Sequence, residues 1–301
     1  MTPAVAMPGM LSFTHRRVQR LRRLVGRHSV RMAEGAFVLE GPKLLHEALD
    51  AGAPVESVYV AAGGLDDAGT SGGPASGDES ATCAAGSSTG AVIQRASAAG
   101  LRVFVLAPGV LERVAGVVSP QPVMAVCRRV DVDLPAVRGA GLVVVCADVR
   151  DPGNLGTVLR SAEAAGGAAV VCCAGSADVY NPKCVRASAG SLFHAPIVAG
   201  GKPLEVLATL GTWGVRRLGT RPSGGTPLYE ADLGVPVAVV LGNEASGLAP
   251  DLETSLDGWL TIPMAGRSES LNVGMTAAVV AFEAARQRGT GTAEAAARGG
   301  G

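Results

Sequence analysis

From residue 141 onward the chain repeats one unit: a short unbroken apolar run, a glycine-rich turn, then a helix with an apolar stripe. The apolar runs cover 142–147, 168–173 and 235–241, further strands are expected at 213–218 and 259–262, and helices are expected at about 155–165, 182–189 and 275–286. A strand that is apolar on both faces must be covered on both faces, and strands joined through helices run parallel. The pattern therefore predicts an α/β domain over 141–288 built on a parallel sheet. Residues 289–301 are expected to be a disordered tail. Every apolar run falls far short of the roughly 20 residues that span a bilayer, so no membrane segment is expected.

The first 130 residues lack this rhythm. The chain is neutral overall, with 26 basic and 26 acidic side chains, yet residues 1–33 hold seven arginines and no acid. Arg16, Arg20, Arg23, Arg27 and Arg31 are spaced so that one continuous helix would align them on a single face. Val18, Leu21, Leu24 and Val25 form the opposing apolar stripe. A solvated helix face is the plain explanation. Five arginines in line without a carboxylate partner point instead to a surface that faces phosphates. The ordered segments 37–41, 103–106 and 123–127, a strand-like 55–60, an amphipathic 42–51 and a helix candidate at 108–114 make 1–130 read as a small α/β module. Within it, 23 of the 30 residues at 61–90 are Gly, Ala, Ser or Thr. A flexible low-complexity insertion is therefore expected over about 61–92. Pro135 and Gly139 mark 131–140 as a linker.

The six cysteines form no C-x-x-C pair and no metal spacing, so no metal is expected. Cys146, Cys172 and Cys173 lie inside apolar runs, as buried free thiols do. Residues 1–13 carry no basic start, and Pro3 and Pro8 interrupt them, so a signal peptide is not expected. These features together predict a cytoplasmic protein.

In open parallel sheets the ligand lies beyond the carboxyl ends of the strands. Three polar, glycine-rich loops fall at such ends: 148–160, 241–248 and 262–274. A dinucleotide fold is the natural competitor. However, Gly153 and Gly156 do not make G-x-G-x-x-G, and Cys172, Cys173, Ala174 and Gly175 stand where a ribose-binding acid would.

The three loops resemble motifs 1, 2 and 3 of the SpoU (TrmH) family of RNA ribose 2′-O-methyltransferases. Asn154, Gly156 and Arg160 match the first motif; Gly242, Glu244, Gly247 and Leu248 match the second. Ile262, Pro263 and Met264, then Ser270, Leu271, Asn272 and Val273, match the third. The resemblance covers roughly 141–287, and 16–60 resembles, more loosely, the substrate-binding domain that precedes many such enzymes. It implies a deep trefoil knot in the C-terminal domain, which pattern alone would not suggest, because knots are essentially absent from ordinary folds. It also implies S-adenosyl-L-methionine as cofactor, held by Gly242, Asn243, Gly247, Ile262, Met264 and Leu271, with Leu218, Gly219 and Thr220 assisting. Ile262 and Leu271 would flank the adenosine. Arg160, Asn154, Glu244, Ser270 and Asn272 would form the catalytic group, and Arg186 would join the five arginines of 16–31 on the RNA.

Each residue has a plainer alternative. Gly156 and Gly247 could be turn glycines. Asn154 and Asn272 could be helix caps, Glu244 half of a structural ion pair, and Arg160 a surface charge. His46 and His194 have no spaced partners and are taken as structural. Gly274 and Met275 replace the Ser and Val that many members carry, and Ala189 replaces an arginine found in some. The expected activity is methylation of a ribose 2′-hydroxyl, in large-subunit ribosomal RNA rather than tRNA. A non-catalytic RNA-binding protein of the same fold is the competing class. The segment 276–285 is apolar nearly all round, with Glu283 its lone charge, so a homodimer is expected to cover it.

Overall fold

The computed structural model describes residues 9–62, 88–115 and 120–298, with side chains to 289. The chain divides into two compact units: Met1–Val130 with Tyr180–Pro182, and Asp131–Val179 with Lys183–Gly301. Most of the low-complexity segment, 63–87, lies outside the described residues.

The first unit runs α1 (Arg16–Gly26), α2 (His28–Glu34), β1 (Ala36–Glu40), α3 (Pro42–Asp50), β2 (Val55–Ala61), α4 (Thr89–Ala98), β3 (Arg102–Leu106), α5 (Val110–Ala115) and β4 (Val123–Arg128). Its sheet has the order β1-β4-β2-β3. β4 is antiparallel to both neighbours, while β2 and β3 are parallel. Val18, Leu21 and Leu24 are fully buried against Leu106, Met124 and Val126, so the apolar stripe sits where its spacing placed it. The sequence pattern missed α4, whose start is capped by the Ser88 hydroxyl accepting from Ala91 N–H.

The arginine stripe needs correction. The helix breaks at Arg27, where φ −128° and ψ 113° are extended backbone, so the five arginines do not share one face. Arg31 is 3% exposed, and its Nη1 donates to the carbonyls of Leu24 (2.8 Å) and Val25 (3.1 Å). It thus satisfies carbonyls that the end of α1 leaves open. Arg20 bridges Glu34 (2.6 Å) and Glu56 (2.7 Å), so it has carboxylate partners after all. Arg16, Arg23 and Arg27 remain exposed. Arg17 lies over Phe104 and Arg113 over Phe13, at 4.6 and 3.7 Å from the ring centroids.

The second unit runs β5 (Leu142–Cys146), α6 (Pro152–Ala164), β6 (Ala169–Cys172), α7 (Pro182–Ser188), β7 (Ile197–Ala199), α8 (Pro203–Thr212), β8 (Arg216–Thr220), β9 (Thr226–Pro227), β10 (Val237–Leu241), β11 (Gly258–Thr261) and α9 (Val273–Arg298). Its seven strands are all parallel in the order β7-β6-β5-β10-β8-β11-β9. The expected parallel α/β sheet is present, with β7, α8 and β9 added. Two boundaries differ. The expected linker belongs to the core of this unit: Val132 N–H donates to Ile197 O, and Val137 is buried at the sheet. α9 also continues through the segment expected to be a tail, carried past Gly289 to Arg298.

Cys127, Cys146, Cys172, Cys173 and Cys184 are buried free thiols. Burial, with Glu56 near Cys127 and Cys172 near Cys173, pushes Cys127 and Cys173 up to about 12. Among the described residues no helix is long and apolar enough to cross a membrane, and no group of three side chains could hold a metal.

Candidate active site

The site grows from the carboxyl ends of β5, β8, β10 and β11. Because β10 lies between β5 and β8, the loop that follows it faces the loops on either side. That loop turns sharply. Asn243 and Gly247 exchange two backbone hydrogen bonds of 2.8 and 2.9 Å, and the Asn243 side-chain oxygen accepts from Ala245 N–H (3.0 Å) and Ser246 N–H (3.2 Å). A Cβ at Gly242 would land on the Gly247 carbonyl, so only glycine fits there. Gly247, at φ +70°, also needs the left-handed region that glycine enters freely.

The motif-1 loop meets this turn through side chains. Asp151, not Asn154, is the N-cap of α6, accepting from Asn154 N–H at 2.9 Å. That leaves the Asn154 amide free to bridge. Its Nδ2 donates to Glu244 Oε1 at 2.9 Å, and its Oδ1 accepts from Asn272 Nδ2 at 2.9 Å. Asn272 also caps α9, its Oδ1 accepting from Gly274 N–H at 2.8 Å, so cap and network roles coexist. Glu244 further accepts from the N–H groups of Asp151 (3.2 Å) and Arg150 (3.3 Å). Burial alone would raise its carboxyl, but these donors, led by Asn154, outweigh it and hold the group below the usual carboxylate range. One hydrogen-bonded chain therefore joins all three loops, and at Glu244 neutral donors stand where the plainer alternative would have had an ion pair.

Beside this chain lies a cavity of about 540 Å³, inside the roughly 300–1,000 Å³ of small-ligand sites. Gly242, Asn243 and Gly247 line it from the loop after β10; Ile262, Met264 and Leu271 line it from the loop after β11. Thr220, Glu244, Ser270 and Asn272 line it as well. Leu218 and Gly219 do not. Leu218 is buried in the sheet, and a Cβ at Gly219 would lie 2.7 Å from Leu256 and 2.9 Å from Leu248 and Trp259. Gly219 thus makes room for core side chains instead of a ligand.

Asn154 stands behind Asn272, outside the lining. Arg160 is exposed on α6, two helical turns beyond Asn154, and makes no ion pair or hydrogen bond among the described residues. Arg186 is exposed on α7, while Ser188 is buried with its hydroxyl donating to Val185 O. Gly156 is not a turn glycine: it sits mid-helix where α6 touches α7. Gly274 has a local reason too, because a Cβ there would meet Thr157 at 2.9 Å. Sequence reasoning missed Arg221, Glu269, Thr276 and Val280 of the lining. Arg221 directly follows the expected Thr220, so adjacency could have found it, whereas Val280 lies far along the apolar closing helix.

The residues fit an adenosyl ligand: apolar side chains at Ile262 and Leu271, backbone exposed by Gly242, and polar groups such as Thr220, Asn243 and Ser270 to orient it. Residues 141–282 match the SpoU rRNA Methylase family, and residues 15–125 match the MRM3-like substrate binding domain. Over 183 residues the chain is 36% identical to the 23S rRNA (guanosine(2553)-2′-O)-methyltransferase RlmP of Bacillus subtilis, covering 61% of this chain and 72% of that protein. Over 167 residues it is 37% identical to a 23S rRNA (uridine(2479)-2′-O)-methyltransferase of Streptomyces viridochromogenes, covering 54% of this chain and 58% of that one. Among solved structures, the SpoU methyltransferase AviRb of Streptomyces viridochromogenes aligns with a TM-score of 0.75 at 28% identity, covering 92% of this chain and 99% of that one. Its complex with the cofactor AdoMet aligns with a TM-score of 0.74 at 26% identity, covering 92% and 100%.

Proposed function

The chain belongs to the SpoU rRNA methylase family, and from that premise we propose that it transfers a methyl group from S-adenosylmethionine to a ribose 2′-hydroxyl of RNA. Large-subunit ribosomal RNA is the favoured substrate over tRNA. RlmP and the Streptomyces relative are named for 23S rRNA, and residues 15–125 resemble a substrate binding domain. The observation that carries the proposal is the Glu244–Asn154–Asn272 chain, which ties the three motif loops together at the cavity.

When bound, the cofactor supplies an electrophilic methyl on a sulfonium, so the protein has no need to create a strong nucleophile. Its own residues must align the hydroxyl and manage one proton. Ile262 and Leu271 offer apolar surface to the adenosine, and Gly242 and Gly247 let backbone approach it. Glu244 is occupied by N–H donors and acts as an anchor for Asn154 and the Arg150–Asp151 backbone. Arg160 has an open fork of donors suited to an RNA phosphate. A guanidinium is a poor proton acceptor, so the 2′-hydroxyl proton leaves to that phosphate or to water. Ser270 and Asn272 complete the lining of the pocket that would hold the cofactor.

The chain acts as a twofold dimer through α9. Ala277, Val280, Ala281 and Ala284 are buried on one face, while Met275 and Phe282, 58% and 53% exposed, leave an apolar face on the other. The trefoil knot expected of the family is supported by the position of β10 between β5 and β8 and by the meeting of the loops at 242–248 and 262–272. Arg16, Arg23 and Arg27 stay open for RNA, and the compartment proposed is the cytoplasm.

Mapping of 2′-O-methyl sites in total RNA from a deletion strain tests the proposal. One site missing from large-subunit rRNA is expected. A site missing only from tRNA would overturn the substrate, and an unchanged methylation map would overturn the activity. Arg160→Ala should abolish methylation while leaving cofactor affinity in calorimetry largely intact.

A further inference from the structure

Arg221 is the single cation among the described residues that line the cavity; the other charged lining groups are Glu244 and Glu269. Glu244 is already occupied by Asn154 and two backbone N–H groups. Arg221 makes no ion pair among the described residues, although its side chain is held in place. Its guanidinium lies 4.9 Å from the centroid of the Trp259 ring, and its Nη2 donates to the Gly224 carbonyl. Its backbone is tied to β11 on both sides: Arg221 N–H donates to Leu260 O at 3.0 Å, and its carbonyl accepts from the Thr261 hydroxyl at 3.2 Å. The same hydroxyl accepts from Gly225 N–H at 3.0 Å, closing the loop. Gly224 takes φ +75°, and a Cβ there would lie 3.3 Å from the Arg221 guanidinium. The loop after β8 therefore folds back and holds a planar cation at the cavity, with most of its five donors unused.

We propose that Arg221 is the clamp for the carboxylate of the cofactor's amino-acid tail, an assignment that rests on the cavity being the S-adenosylmethionine site. That ligand carries one anionic group, the carboxylate, against a cationic sulfonium and a cationic ammonium. A guanidinium fork matches a carboxylate with two parallel hydrogen bonds, and it loses little side-chain entropy on binding when stacking already fixes it. The same charge repels the sulfonium, so one side chain attracts one end of the ligand and disfavours the reversed placement. The contact with the Trp259 ring is to the π face and uses no N–H donor, so apart from the Nη2 bond to Gly224 the guanidinium donors stay open to an anion.

Calorimetry on the full chain tests this with three ligands: S-adenosylmethionine, its decarboxylated form, and 5′-methylthioadenosine, which lacks the whole tail. Arg221→Gln should weaken S-adenosylmethionine by about 10- to 100-fold and leave the other two within about twofold. Arg221→Lys, which keeps the charge but not the fork, should give a smaller loss, again for S-adenosylmethionine alone. Unchanged S-adenosylmethionine affinity in both variants overturns the clamp, and a parallel loss of RNA affinity would place the guanidinium on a phosphate instead. Equal loss for all three ligands with unchanged thermal melting also overturns it. If Arg221→Gln melts low, the Lys variant carries the same three-ligand comparison, and equal or absent loss there overturns the clamp in the same way. Wild-type protein that binds none of the three overturns the cofactor site itself, an outcome distinct from failure of the clamp.

Discussion

Gly156→Ala separates what helix propensity says from what packing says. Replacing a mid-helix glycine by alanine ordinarily stabilises a helix by about 1 kcal/mol. Here the new Cβ would stand 2.5 Å from the Cys184 carbonyl oxygen, 2.6 Å from Ala187 Cβ and 3.0 Å from Ser188 N. The first distance is about an ångström inside ordinary van der Waals contact. Two of the three obstacles are backbone, so no rotamer change relieves them, and α6 must move away from α7. Overpacking of this kind costs roughly 3 kcal/mol at the upper end of its range, and the propensity gain offsets about 1, leaving a net loss of about 2 kcal/mol. For a unit of this size that is a fall in melting temperature of about 4–8 °C. The displacement also reaches the site, because Asn154 sits on the first turn of α6 with 2.9 Å hydrogen bonds to Glu244 and Asn272. Cofactor affinity should fall together with the melting temperature, read by calorimetry and scanning fluorimetry on one preparation. Adding Ala187→Gly should recover little, since it leaves both backbone obstacles and costs about 1 kcal/mol of helix propensity in α7. A Gly156→Ala protein that melts at or above the wild-type temperature would refute the close helix contact and the sign of the whole estimate.

The two kinds of arginine in the first unit should respond differently: Arg23→Glu weakens RNA binding and flattens its salt dependence without lowering the melting temperature, whereas Arg31→Ala costs about 1–3 kcal/mol by orphaning the Leu24 and Val25 carbonyls. Gel-shift titrations against salt and thermal melts distinguish them. Glu283, held by Arg286 and Gln287, is lowered from 4.5 to about 2. A depressed carboxyl contributes stability that is present above its unfolded value and lost as pH falls through its folded value. Glu283→Gln should therefore flatten the acid side of the stability profile between about 4.5 and about 2, measured by melting across that window. Cys127 and Cys173, pushed up to about 12 by burial, should resist iodoacetamide at mildly alkaline pH and react only once the chain is unfolded, as mass spectrometry of the alkylated protein would report.

The sequence by itself determined the parallel sheet of the second unit, because runs such as Val143–Val145 and Val237–Leu241 are apolar on both faces and tolerate no other environment. It also marked the three loops, since glycine, asparagine and proline concentrate where backbone must turn and approach a ligand. Short-range pattern is enough for such features. What it could not determine were distances between residues far apart in the chain. That Asn154 meets Glu244 and Asn272 depends on β10 inserting between β5 and β8, a choice of strand order that no local periodicity encodes. The same limit explains where expectation and structure part. Arg20 and Arg31 look like free charges until Glu34, Glu56 and the end of α1 are folded against them. Gly219 sits among the ligand-facing positions in the sequence, but the side chains of Leu248, Leu256 and Trp259 close over it. Val137, in a stretch of linker composition, is drawn into the core because one valine can bury its side chain where a sheet offers the space. Local chemistry chose the elements, and only the tertiary structure chose their neighbours, because pairing and close approach are properties of the whole chain.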